Sequence, residues 1–149
     1  MPSAVRRALA ASALLLLAAC GSDNPTNVTV NDLAGTWVAT SFVFSSVADP
    51  STTVDAVAAG ASFTLTITDD GHFTATTGAP GEDPEVDEGT ITVDGSKITL
   101  DGGDNPISGT YSLSGNTLTV HLTDGIGFDF TGNGDEPARL DGTLKRQSP

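Results

Sequence analysis

The sequence predicts an all-β domain over residues 32–149: about eight short antiparallel strands in an up-and-down meander that closes into a barrel. Three observations predict it. Apolar and polar residues alternate with a period of two in segment after segment. The segments are joined by tight turn sequences, Asp69-Asp70-Gly71, Asp94-Gly95-Ser96 and Ser114-Gly115-Asn116. Gly and Thr are frequent while Lys and Glu are scarce, which favours strands and turns over helices. A sheet with one apolar and one Thr-rich face must bury the apolar side, and closing on itself does so while removing the exposed edges. A β-sandwich gives the same strand pattern but needs Greek-key crossovers, so the short local turns favour the barrel.

Ahead of this domain, Arg6 and Arg7 precede an uncharged Ala- and Leu-rich run from Ala8 to Ala19. The run is too short to cross a hydrocarbon core of about 30 Å as a helix, which takes ~20 residues, and has the layout of a secretory signal. It ends in Leu17-Ala18-Ala19-Cys20, and Cys20 is the single cysteine, so no intrachain disulfide is available. These residues resemble the lipobox of bacterial lipoproteins. The resemblance implies that residues 1–19 are removed and that Cys20 becomes the first mature residue. It also implies that Cys20 carries a diacylglycerol and often a further acyl chain such as palmitate. The protein is then anchored in the bacterial cell envelope, and Gly21 after the cysteine implies the outer membrane if the cell has one. More than one chain fits the energetics, since each buried CH₂ contributes ~0.8 kcal/mol and one chain anchors only marginally.

Removal of Arg6 and Arg7 takes the formal charge from −13 to −15. Such a surface repels nucleic acid and anionic headgroups, so the expected membrane link is the lipid and no nucleic-acid partner is expected. Residues 20–31 are polar, contain Pro25, and read as a tether reaching at most ~35 Å.

The domain then runs in order. Asp32 to Trp37 opens it and Val38 to Phe44 is the first strand. Ser45 to Gly60 is a long connection holding Pro50, with room for one helical turn at Val54 to Ala59. Long loops in compact domains are often lids or binding loops. Ser62 to Thr68 and His72 to Thr76 form a hairpin with Phe63, Leu65 and Ile67 inward. Gly78 to Glu88, with two prolines and five acids, reads as a solvated loop. Two more hairpins follow, Thr90–Val93 with Lys97–Leu100, and Ile107–Leu113 with Thr117–Thr123. Asp124 to Pro137 is Gly- and Asp-rich around a short apolar piece, Ile126 to Phe130. Ala138 to Arg146 is the last strand, with Leu140 and Leu144 inward.

Gly35-Thr36-Trp37 at the head of the first strand resembles the Gly-x-Trp signature of lipocalins, and Gly109 to Leu118 resembles the late hairpin of small bacterial lipocalin-like domains. The resemblance implies a lipocalin-like barrel whose Trp37 packs across a closed end beneath a basic residue from the last strand. Arg146 fills that place, with Lys145 and Arg139 as rivals. It further implies that Ser45–Gly60 is the lid of an open end.

Candidate chemistry is sparse. His72 and His121 fall on polar faces of their strands, no third zinc ligand suggests itself, and no Ser or Thr has a base at hand; no enzyme is expected. Asp129, Thr131 and Asn133 at alternate positions, then Gly134 and Asp135, resemble the first half of a calcium loop. The carboxylate expected at the twelfth position falls on Leu140, so an acidic Gly-rich turn is the preferred reading over calcium. No other cofactor is expected. Candidate ligand-lining residues are Tyr111, Phe63, Phe73 and Leu118, with the Tyr111 hydroxyl as polar partner. Two functions remain: a lipid-anchored barrel that binds or carries a small apolar ligand, or a structural or inhibitory lipoprotein that engages another envelope protein through its loops without a cavity.

Overall fold

The computed structural model describes residues 28–148. The signal peptide, Cys20 and residues 21–27 of the tether lie outside them. Eight long strands form a closed barrel: β1 (Gly35–Ser46), β3 (Ser62–Ile67), β4 (His72–Gly78), β5 (Glu85–Asp94), β6 (Lys97–Asp101), β7 (Ile107–Ser114), β8 (Thr117–Asp124) and β10 (Glu136–Arg146). Two short strands, β2 (Thr53–Asp55) and β9 (Gly127–Phe128), extend the sheet at one rim, and a single helical turn, α1 (Val30–Leu33), precedes β1. Every pairing is antiparallel, each long strand pairs with the next, and β1 returns to β10 from Trp37↔Arg146 to Ser46↔Ala138. The meander, the closure and the absence of crossovers agree with the expected up-and-down barrel and exclude the sandwich.

The turns explain the local connectivity. The β5–β6 and β7–β8 hairpins have two-residue loops opened by Gly95 and Gly115, with φ of 58° and 56°. A positive φ at the first loop residue followed by a negative one is the II′ arrangement, whose twist matches that of the flanking strands. These hairpins and the β3–β4 hairpin gather at one end of the barrel. The longer connections, β1–β3, β4–β5, β6–β7 and β8–β10, gather at the other.

The inward residues follow the pleat: Leu65 and Ile67, Phe73 and Ala75, Ile98, and Leu118, Val120 and Leu122 are all buried. On β1 the register slips. Ala39 faces Leu144 but Ser41 faces Thr143, so Thr40 is an extra residue without an opposite number. This bulge flips the parity of the strand. Trp37 and Ala39 point inward below it, and Phe42, Phe44 and Ser46 point inward above it. Opposite Phe42 stands Gly142, where a Cβ would lie 2.8 Å from Cε2 of the Phe42 ring; the ring occupies the space a side chain would take.

Four sequence expectations are corrected. Val28 and Val30 pack against the core, so the domain begins before Asp32 and the end of the expected tether belongs to it. Val54 and Asp55 belong to β2 on β1, and only Ala56–Gly60 turns, because Asp55 binds the β1 backbone. Glu85–Glu88 is not loop but the start of β5, paired from His72↔Thr90 to Thr77↔Glu85. The apolar piece after Ile126 supplies β9, which pairs with Glu136 and Pro137 and draws β10 two residues earlier than Ala138.

Candidate functional site

The two ends of the barrel are built differently, and the difference defines the site. At the hairpin end, α1 lies across the opening. Thr29 precedes it, and the Asp32 carboxylate accepts bonds from the Thr29 amide at 2.7 Å and the Thr29 hydroxyl at 2.9 Å. Those two bonds, with the nearby Arg146, hold the Asp32 carboxyl below its ordinary range. Leu33 and Trp37 are fully buried beneath, and the Trp37 indole N–H donates to Leu33 O at 2.8 Å. Arg146 closes the stack. Its Cζ lies 4.2 Å from the centroid of the Trp37 ring, and its guanidinium donates to the carbonyls of Ala34 and, at 2.7 Å, Asp32. Gly35 makes room: its φ is 130° and a Cβ there would lie 3.0 Å from Nη1 of Arg146. Of the three basic residues considered for this place, Arg146 holds it. Lys145 bonds the Thr117 hydroxyl on the outer face and Arg139 is exposed.

At the opposite end the barrel holds a cavity of about 740 Å³. Phe42, Phe44, Phe63, Phe73 and Phe128 line it, which is five of the six phenylalanines in the chain. Four of them, Phe63, Phe42, Phe44 and Phe128, form a continuous wall. Phe42 stacks on Phe63 at 4.5 Å and meets Phe44 edge-on at 6.0 Å; Phe44 stacks on Phe128 at 4.3 Å, and Phe130 meets Phe128 edge-on at 4.8 Å. Leu100, Leu122 and Leu140 belong to the same lining.

Ala56 and Val57 of the β1–β3 connection line the cavity too, and two carboxylates hold that connection folded. Asp55 accepts bonds from the amides of Phe42 (3.3 Å), Val57 (3.1 Å) and Ala58 (3.2 Å) and from the Ser41 hydroxyl (3.2 Å). Asp49 accepts from the amide and hydroxyl of Ser51 and from the Thr52 hydroxyl. Hydrogen bonds to the ionised form lower both carboxyls, led by the Ala58 amide at Asp55 and the Ser51 hydroxyl at Asp49.

The charged lining is acidic, Glu85, Asp87 and Asp104, and Ser62, Thr77 and Asn105 add neutral polar groups. On β5 the buried Ile91 and the partly buried Val93 mark the inner face, and period two carries that face back through Gly89 to Asp87 and Glu85. Asp87 stands opposite the buried Ala75, and residues directly opposite share a face. Among the described residues no lysine, arginine or histidine lines the cavity. Sequence reasoning missed Glu85, Asp87, Phe42 and Phe44. The β5 parity was available from Ile91 and Val93, whereas the Thr40 bulge left no sequence mark.

The expected ligand residues divide. Phe63 and Phe73 line the cavity. Tyr111 and Leu118 do not: both are buried in the packed half, and their assignment to a ligand is corrected on that ground. Burial raises the Tyr111 hydroxyl, and the charge of Asp32 at the plugged end raises it further. The Asp129 segment is a carboxylate-centred turn. Asp129 accepts from the amides of Thr131 (3.0 Å), Gly132 (2.6 Å) and Gly134 (3.2 Å), and Asn133 donates its side-chain amide to Thr131. Burial works to raise this carboxyl and the backbone amides outweigh it, leaving it lowered. The Asp129 carboxylate is thus engaged by backbone amides of its own turn, and among the described residues no group of three His, Cys, Asp or Glu side chains is placed to hold a metal ion. His72 and His121 are on strands that do not adjoin, and each faces an acid on the outer surface, Asp70 at 3.8 Å and Asp141 respectively. Compared with known proteins, the chain matches no protein-family model and no curated protein sequence.

Proposed function

We propose that this protein is a lipid-anchored envelope carrier, a lipocalin-like barrel that takes up a small apolar molecule at its open end and is held to a bacterial membrane through acylated Cys20. One observation carries the reading: the phenylalanine-walled cavity of about 740 Å³, opposite the plugged end. Small-molecule sites are concave, mostly apolar and ~300–1,000 Å³ in volume, with a few polar groups to orient the guest. A barrel of eight strands is wide enough to fill or to hold one small ligand, and here the lower half is filled and the upper half is not.

The test is native mass spectrometry of the protein extracted from its own membranes with the groups on Cys20 intact. A stoichiometric passenger that leaves on mild activation, on a chain carrying the acyl mass, is the expected result. An acylated chain without a passenger, which also fails to bind a neutral environment-sensitive dye, overturns the carrier role and turns attention to the loops.

A further inference from the structure

The polar part of the cavity has one sign of charge, and its acids are placed against the grain of the fold. Over its lower half β5 obeys the barrel pattern, apolar inward and polar outward. Over its upper half the pattern inverts: Glu85 and Asp87 face the cavity while Val86, between them, is 56% exposed on the outside. Glu85 and Asp87 keep contact with water at the mouth, and for stability alone the opposite parity is favoured because it would bury the exposed valine. Asp104, from the β6–β7 connection, adds a third acid to the same lining. Around the ring β1 and β6 are diametrically opposite, so the acids of β5 and the β6–β7 connection face the Phe42–Phe44 wall across the mouth. Among the described residues the lysines and arginines are elsewhere: Lys97, Lys145 and Arg146 at the plugged end and Arg139 on the outer surface. Low-dielectric walls lined by one sign of charge focus the field into the space between them.

We propose that the ligand is an organic cation: an apolar body that occupies the phenylalanine-walled floor, with an ammonium group held at the rim by Glu85, Asp87 and Asp104. This rests on the proposed binding role of the cavity and adds the chemical class of its guest. An anionic amphiphile such as a fatty acid meets three like charges and no counter-ion there, and is disfavoured. Inward-pointing charge has one other known use, keeping an unpaired strand edge from pairing with another chain. Residues 85–89 of β5 lack a partner on the β6 side, since that pairing begins at Thr90↔Asp101. The two uses predict different results.

The experiment compares decylammonium, decanol and decanoate, which share one apolar body, as competitors of the neutral dye N-phenyl-1-naphthylamine. The full chain is held by its own anchor in zwitterionic nanodiscs, with empty nanodiscs subtracted. The expected order is ammonium, then alcohol, then carboxylate, with the ammonium about tenfold tighter than the alcohol at low ionic strength and the gap narrowing with salt. The pair Glu85→Gln and Asp87→Asn brings ammonium and alcohol to within about threefold of each other, and Asp87→Lys moves the preference toward decanoate. Equal affinities for the three heads in the unaltered protein overturn the proposal but leave the cavity a binding site. So does an unchanged ranking in the neutralised pair, above all if that pair self-associates, which assigns Glu85 and Asp87 to edge protection. Failure of the dye and all three ligands to bind overturns the carrier reading itself.

Discussion

Arg146 shows how one side chain can join three parts of the chain. Its guanidinium lies over the Trp37 ring and bonds two carbonyls just before β1, so the last strand, the first strand and α1 are fixed together. A guanidinium suits this place because it is planar, weakly hydrated and forked, whereas an ammonium is a strongly hydrated point charge. Arg146→Ala removes the ring contact and leaves two carbonyls without a donor. An expected loss of about 2–3 kcal/mol follows from a cation–π contact of ~0.5–2 and a hydrogen bond of ~0.5–1.5 kcal/mol. Urea unfolding read by Trp37 fluorescence checks this. Arg146→Lys is expected to recover less than half, and full recovery would show that charge alone suffices. This contact was legible in the sequence through resemblance: Gly35-Thr36-Trp37 resembles the lipocalin signature, which implies a basic residue from the last strand over the tryptophan, with Arg146 first among three candidates.

At the scale of elements, two features decide what faces the cavity. The first is the Thr40 bulge. Counting by twos from Trp37 places Val43 inside, but the extra residue brings Phe42 and Phe44 in. Deleting Thr40 restores the simple count with both rings still inward. That variant is expected to fold and to bind the neutral dye, while deletion of Thr64 in β3 turns Leu65 and Ile67 outward and abolishes the near-ultraviolet signal. Equal tolerance of the two deletions would refute the parity argument.

The second feature is the β1–β3 connection, tied by Asp49 and Asp55. Both carboxyls are lowered in the folded state. Their contribution is therefore complete above the ordinary carboxylate range, near ~4, and is lost as pH falls through the lowered values. Amide shifts of Phe42, Val57 and Ala58 are expected to move together in that acid window, and Asp55→Ala is expected to produce the acid form of the loop at neutral pH with little change in global stability. Unchanged amide shifts in the variant would mean that Asp55 does not hold the β1–β3 connection.

Why the sequence reveals one half of this architecture and not the other is also a question of elements. Hairpins joined by Gly95 and Gly115 are local, so their period and turn chemistry sit within a dozen residues. The rim depends on contacts between distant segments. Glu85–Glu88 is a strand because β4 supplies partners from Thr74 to Thr77, and that pairing outweighs a composition of prolines and acids that reads as loop. Likewise Gly127 and Phe128 form β9 only because β10 overruns Ala138 to meet them. The fold class was thus visible from the sequence; the acidic side of the cavity follows from the Ile91–Val93 parity only once pairing with β4 has made residues 85–88 part of the strand.

The molecule as a whole is polarised: a plugged, cation-bearing base and a hollow, acidic mouth. Both ends of the described chain leave from the base, where α1 enters beside β1 and the Gln147 amide donates to Thr36 O at 2.8 Å. A folded domain fused after Pro149 is therefore expected to leave dye binding unchanged, while the same domain inserted between Gly81 and Glu82 obstructs it; equal effects would mean that the mouth is elsewhere. Placing the chain ends this way also sets traffic. With the proposed anchor on Cys20, which precedes Val28, the protein would stand on a bilayer like a cup on its foot, with the brim turned to the water. A guest would then be exchanged with the aqueous compartment or with another soluble carrier, not drawn sideways out of the membrane to which the protein itself is fixed.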